Sequence, residues 1–347
     1  MFDRLAAIRP IPFCIAAVAG GIGLFVASKP APQPLPAPQE LAQISMPSET
    51  VVPSARLVQP IEAAPPPPTT QLLFVFTAGG DSYLRLDTAD PEARRRHVHV
   101  VNDDGVTSAI ATIDASDLTS EESAWLGRSV IVDSTCSAKV TGFATIARVT
   151  GDPVYASDHS GHWTAASVFE HGDMMVVAKL DRCTGTYARD AALAPIIAPQ
   201  LVTDPALASK ARAKLLASDL AATAKKAWAD GQQTGDWVAA ANFDTRVIRH
   251  PVTGVTWVSV HASDGFTCGG PEINIWGLYR VAPNGKLVTV QQRDLPEIGT
   301  IEKLIDVEGD GDLELIGQPF VEGDQVLTKA NGDEISRMPL RFFGCPC

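Results

Sequence analysis

Five carboxylates stand within nine residues, at Asp306, Glu308, Asp310, Asp312 and Glu314. Acids at alternate positions around a glycine turn direct their side chains to the inside of one loop. A hard cation that takes six to eight oxygens finds its ligands in such a loop, and calcium tolerates the irregular geometry. The spacing predicts side-chain ligands from Asp306, Glu308 and Asp310, a sharp turn at Gly311, a carbonyl ligand from Asp312 and a last carboxylate from Glu314. The competing reading is an acidic turn without metal. Against it, five crowded carboxylates repel one another, and Lys303 is the cation nearest in sequence.

The stretch DVEGDGDLE resembles the nine-residue calcium loops of FG-GAP/VCBS-type repeats, which join two strands of integrin-like propeller blades. The resemblance covers residues 301–316. It implies carboxylate ligands at Asp306, Glu308, Asp310 and Glu314, a backbone ligand at Asp312 and a structural Ca2+. Glu308 stands where that family has Asp or Asn, so its longer arm has to fold back. The chain carries one copy of the motif, whereas a propeller needs several blades.

Three other groups could do chemistry. His159 and His162, with Glu170 and His171 beyond, contain enough imidazole for zinc, but the spacing matches no H-E-x-x-H signature. Their Ser/Gly surroundings favour a solvated loop. His97 and His99 are expected on one strand face. Gly79-Gly80-Asp81-Ser82 resembles the nucleophile turn of GDSL-type hydrolases, yet that family also needs a late Asp-x-x-His pair, which this chain lacks. An ordinary strand-end turn is the simpler reading.

The surrounding chain sets the compartment. Residues 11–28 carry no charge and as a helix would span roughly 27 Å, close to a bilayer's hydrocarbon core. Arg4 and Arg9 precede them. The segment reads as a signal anchor or as a signal peptide cut near Ser28. Residues 29–70 hold twelve of the chain's 26 prolines, which exclude helix and sheet and predict a polyproline-type spacer. A docking ligand for a proline-reading domain is the alternative. Cys14 lacks the preceding small residues of a lipoprotein signal. In an exported chain the other five cysteines imply disulfides. Cys136 with Cys183 is the expected bridge, and Cys268 is expected to join Cys345 or Cys347. The net charge of −12 and the lack of a basic patch beyond Arg94-Arg95-Arg96 exclude nucleic acid as a partner.

The elements that must position these groups read as mainly β, antiparallel, with one helical insert. Residues 71–200 form a β domain of short strands, including a hairpin turning at Asp104-Gly105. Asp204-Pro205 opens a helix through residue 229, inside a connector of 201–235. Residues 236–347 form a β domain with hairpin turns at 283–285 and 331–333 and the acidic loop between two strands, possible as one propeller-like blade. The whole predicts an exported, membrane-tethered envelope protein that binds a protein or glycan partner without catalysis and is braced by calcium. The alternative is an envelope-polymer hydrolase with a site around His159, His162 and His171 or around Ser82.

Overall fold

The computed structural model describes residues 71–86, 96–156, 161–231, 234–264, 266–267, 270–271, 273–295, 298–318 and 323–344. The expected anchor and spacer, Arg94 and Arg95, His159, Cys14, Cys268, Cys345 and Cys347 lie outside these residues. Ala63–Cys347 form one compact unit. The fold is mainly β with a few helices, as the patterning predicts.

The first layer comprises β1 (Leu73–Ala78), β2 (Asp81–Leu86), β3 (Arg96–Asp103), β4 (Val106–Ile113), the short α1 (Ser120–Ser123), β5 (Ser129–Val132), β6 (Cys136–Gly151), α2 (Ala165–His171), β7 (Asp173–Leu180) and β8 (Tyr187–Asp190). The antiparallel pairings β1–β2, β2–β7, β7–β6, β6–β5, β5–β8 and β8–β1 close a circuit. Valine, leucine and alanine side chains fill its inside: Val75, Leu84, Val130, Val132, Ala138, Val140, Val176, Ala178 and Ala188. The long β6 carries the β3–β4 hairpin beyond the circuit. Asp104 and Gly105 both have positive φ, 50° and 84°, which the mirror-image two-residue hairpin turn requires. His97 also has positive φ, and the register slips between Arg96 and His99, so His97 and His99 do not share a regular strand face.

The second layer follows β9 (Gln200–Leu201), α3 (Pro205–Leu216), α4 (Asp219–Asp230) and α5 (Trp237–Ala240) with β10 (Asn242–Arg249), β11 (Thr256–Ser263), the small pair β12 (Phe266–Thr267) and β13 (Gly270–Pro271), β14 (Asn274–Val281) and β15 (Leu287–Asp294). The sheet order is β15-β14-β11-β10-β9. Sequence periodicity predicts one helix over 206–229, whereas the structure has two. Asp204 caps the first by accepting from Leu207 N, and Ser218 caps the second by accepting from Ala221 N. A serine that offers its hydroxyl to the backbone ahead favours a new start over a continued helix. Ala211, Leu215, Ala224 and Trp228 still face the sheet, as their spacing requires.

The third layer is a meander of four consecutive strands, β16 (Thr300–Ile305), β17 (Glu314–Gln318), β18 (Gln325–Thr328) and β19 (Glu334–Met338), followed by β20 (Arg341–Phe343). It is covered on both faces. Ile305, Val307, Ile316, Leu327 and Met338 pack with the first layer, while Ile301, Leu304, Leu313, Leu315 and Val326 pack with Trp257, Trp276 and Leu278 of the second. Neighbours on one strand thus enter different cores, which accounts for the doubly apolar pairs Leu304-Ile305, Leu315-Ile316 and Val326-Leu327. The two β regions therefore share cores through this central sheet. The acidic loop is the connection from β16 to β17.

Candidate metal centre

The loop is shaped by its first acid. Asp306 is fully buried. Its Oδ1 accepts from Gly309 N at 2.6 Å and Asp310 N at 3.2 Å, and its Oδ2 accepts from Gly311 N at 2.8 Å. Gly309 and Gly311 supply the positive φ values, 76° and 93°, that bring those amides around the carboxylate. His250 Nε2 stands 3.0 Å from Oδ2. The amides of Val252 and Thr253 both point at His250 Nδ1, so Nδ1 accepts and Nε2 carries the hydrogen that it donates to Asp306. A backbone bridge adds Asp306 N to Ile197 O at 2.9 Å and Ile197 N to Asp306 O at 3.0 Å.

Arg189 completes this frame. It is 5% exposed and donates to Gln71 O, Ala194 O and Val307 O at 3.0, 2.9 and 2.7 Å. Burial pulls its pKa down, and the negative charge of Asp306 opposes that shift. The two buried charges thus compensate one another at the base of the loop. Lys303, expected to offset the acids, instead pairs with Asp133 at 3.2 Å.

The remaining acids face a different space. Glu308, Asp310, Asp312 and Glu314 line one open cavity of about 290 Å3, whose other walls include Trp257, Leu278, Leu313, Lys329 and Asn331. Asp306 is not among its lining residues. Asp310 and Asp312 are exposed, and Asp310 Oδ1 accepts from Asp312 N at 2.9 Å. Glu314 Oε2 accepts from Val307 N at 2.9 Å. The five acids therefore divide into a brace and a lining. Among the described residues no three His, Cys, Asp or Glu side chains are grouped closely enough to hold a metal. The donor set is nonetheless all oxygen, which suits a hard cation and not zinc. The half-buried Glu308 and exposed Asp310 side chains have to turn inward to serve.

Glu314 registers the crowding. Burial raises its pKa to about 7, helped by the charges of Asp306, Asp310 and Glu308 and opposed by the Val307 amide. The folded state therefore holds a proton that the unfolded chain releases near pH 4.5. That stabilisation is complete below about pH 4.5 and is lost as the pH rises through about 7. Since the cavity opens to solvent, screening trims the effect to about 2 kcal/mol. In EDTA, urea unfolding of Glu314→Gln is expected to match the wild type at low pH and to exceed it by about 2 kcal/mol at pH 8. Parallel pH profiles for the two proteins would show that Glu314 stays ionised throughout.

The described members of the other chemical groups take the following places. Ser82 is 7% exposed and pairs with Thr77 across the β1–β2 hairpin, and no histidine among the described residues bonds to it. His171 ends α2 and packs edge-on against Phe343, with ring centres 5.8 Å apart. His162 is exposed in the turn before α2. Cys136 and Cys183 form a disulfide, as expected from the sequence. No protein-family model, no curated protein and no solved structure matches the chain.

Sequence reasoning missed His250, Arg189 and Trp257. His250 lies 56 residues from its partner Asp306, and nothing in its neighbourhood marks it. Arg189 makes carbonyl bonds, which leave no pattern of opposite charge to read.

Proposed function

We propose that the chain is an exported, membrane-tethered envelope protein that binds a glycan or protein partner without catalysis and carries a structural calcium at residues 306–314. Glu308, Asp310 and Glu314 would hold the ion with the Asp312 carbonyl, on a loop whose shape Asp306 maintains. The calcium would supply a fixed positive charge among the acids. The observation that carries this reading is the gathering of four of the five acids around one cavity. Trp257 also lines that cavity, is 3% exposed, and its indole N–H has no hydrogen-bond partner among the described residues. The disulfide favours an oxidising compartment. The tether itself rests on the sequence of residues 1–70, since no helix among the described residues is long and apolar enough to cross a membrane.

Thermal unfolding of the full chain tests the calcium. At roughly tenfold excess over Kd the ion adds about 1.4 kcal/mol, a rise in Tm of about 3 °C. The rise should appear with millimolar calcium, vanish in EDTA and be absent in Asp310→Ala. Identical curves in calcium and EDTA would sink the proposal. If the ion organises the partner's surface, capture of envelope polysaccharide by the full chain should weaken in EDTA as well.

A further inference from the structure

Among the described residues, one buried cation has no carboxylate partner. Arg148 lies on β6, 7% exposed, between Ser108 of β4 and Asp173 of β7 in the sheet register. Its guanidinium carbon sits 4.3 Å from the centre of the Phe76 ring. Its Nε has no hydrogen-bond partner, and no carboxylate among the described residues forms an ion pair with it. Burial draws its pKa down to about 10, and no neighbouring acid opposes the shift. It is therefore still charged at neutral pH. A buried, uncompensated charge is costly, and an apolar side chain of the same length would pack on Phe76 without that cost.

Arg148 also lines a cavity of about 530 Å3 with Thr77, Gly80, Asn102, Asp103, Asp104 and Ser108. The volume lies within the range of small-molecule sites. Its rim is preformed. The Asp104-Gly105 turn fixes the β3–β4 hairpin, Gly79 N donates to Asp103 Oδ2 at 2.6 Å, and Asn102 Nδ2 donates to Thr107 Oγ1 at 2.8 Å. The cavity thus offers the Arg148 guanidinium, whose Nε has no acceptor among the described residues, two hydroxyls, and two carboxylates at its edge.

We propose that this cavity is a binding site for a small carboxylate, with Arg148 as the anchor. A planar guanidinium matches a carboxylate with two parallel hydrogen bonds. The single cation and the two edge acids disfavour a dianion such as phosphate. Thr77 and Ser108 stand ready as further donors, while Asp103 and Asp104 accept from hydroxyl or ammonium groups at the ligand's other end. The ligand class is a monocarboxylate bearing such groups, as in a uronic acid or an amino acid. The cavity shares no lining residue with the acidic loop, so the site stands apart from the calcium reading.

Calorimetric titration of the full chain tests this, using glucuronate, glycine, acetate, glucose and inorganic phosphate as probes. Glucuronate or glycine should bind, acetate more weakly and glucose not at all. Whichever of the first two binds identifies the source of the carboxylate. Arg148→Met should weaken binding by about 30-fold or more, and Arg148→Lys should recover only part of it. The ligand-free Arg148→Met chain should melt no lower than the wild type, because it loses an unpaired buried charge. Failure of every carboxylate to bind would overturn the proposal, as would binding unchanged in Arg148→Met. Phosphate binding more tightly than the carboxylates would overturn the ligand class. A Tm lowered by several degrees in ligand-free Arg148→Met would mark the arginine as a structural prop instead.

Discussion

Asp306→Ala is expected to destabilise the protein by about 4 kcal/mol or more. The carboxylate receives three loop amides and the His250 Nε2 hydrogen, all at a fully buried position. Alanine leaves these donors without acceptors and removes the charge that compensates Arg189. Asp306→Asn keeps the shape but not the chemistry. One amide oxygen can still serve Gly309 and Asp310, whereas the NH2 then faces the donors of Gly311 and His250. The asparagine variant should therefore recover less than half of the loss. Urea unfolding measures both, and proteolysis within 306–314 should accelerate in each. A loss under about 1 kcal/mol for the alanine variant would mean that the loop keeps its shape without this acid.

Removal of the Cys136–Cys183 bridge is the second large effect. The cysteines are 47 residues apart, and the chain-entropy model assigns about 4 kcal/mol to a loop of that size. The bridge joins the start of β6 to the turn after β7, at one end of the closed strand circuit. That end carries backbone strain, since Asp133, Ser134 and Cys183 all have positive φ. The strained residues are held by other bonds as well. Asp133 Oδ1 accepts from Thr186 N and Tyr187 N at 3.0 and 3.2 Å, and the Ser134 hydroxyl donates to Ile196 O at 2.6 Å. The double variant Cys136→Ser/Cys183→Ser should thus remain folded, with a Tm lower by about 8 °C. Dithiothreitol should lower the wild type by the same amount and leave the variant unmoved. No response to reductant would contradict the bridge.

What was legible in the sequence follows from how local its causes are. The hairpins at Asp104-Gly105, at Gly285 and at Gly332 announce themselves because each turn needs a positive φ, and the residue that supplies it is visible. Asp204-Pro205 marks its helix start just as locally, through the Asp204 cap and the proline at the first helical position. Short or polar strands escape. β10 reads NFDTRVIR and β8 has only four residues, so neither shows clean alternation, and both depend on partners distant in the chain. In the acidic loop the residue types are plain, but the division of labour is not. Alternation shows five acids and cannot say that three backbone amides and a remote histidine claim the first. Arg148 is the extreme case, since its isolation is a property of its neighbours alone.

The return of β20 to the first layer has a temporal consequence. Arg341–Phe343 pair in parallel with Val149–Gly151 at the end of β6, and Asp152 N donates to Phe343 O at 2.8 Å. Gly151 has a φ of 93° and its α-carbon lies against the Phe343 carbonyl, so a side chain there would push the strand away. This seam joins positions almost 200 residues apart in the sequence. A chain threaded from its N-terminus exposes the edge of β6 long before the matching segment emerges. The end of β6 thus waits uncovered during synthesis, and the docking of β20 on it is a late event whose speed is limited by the search across that long intervening chain.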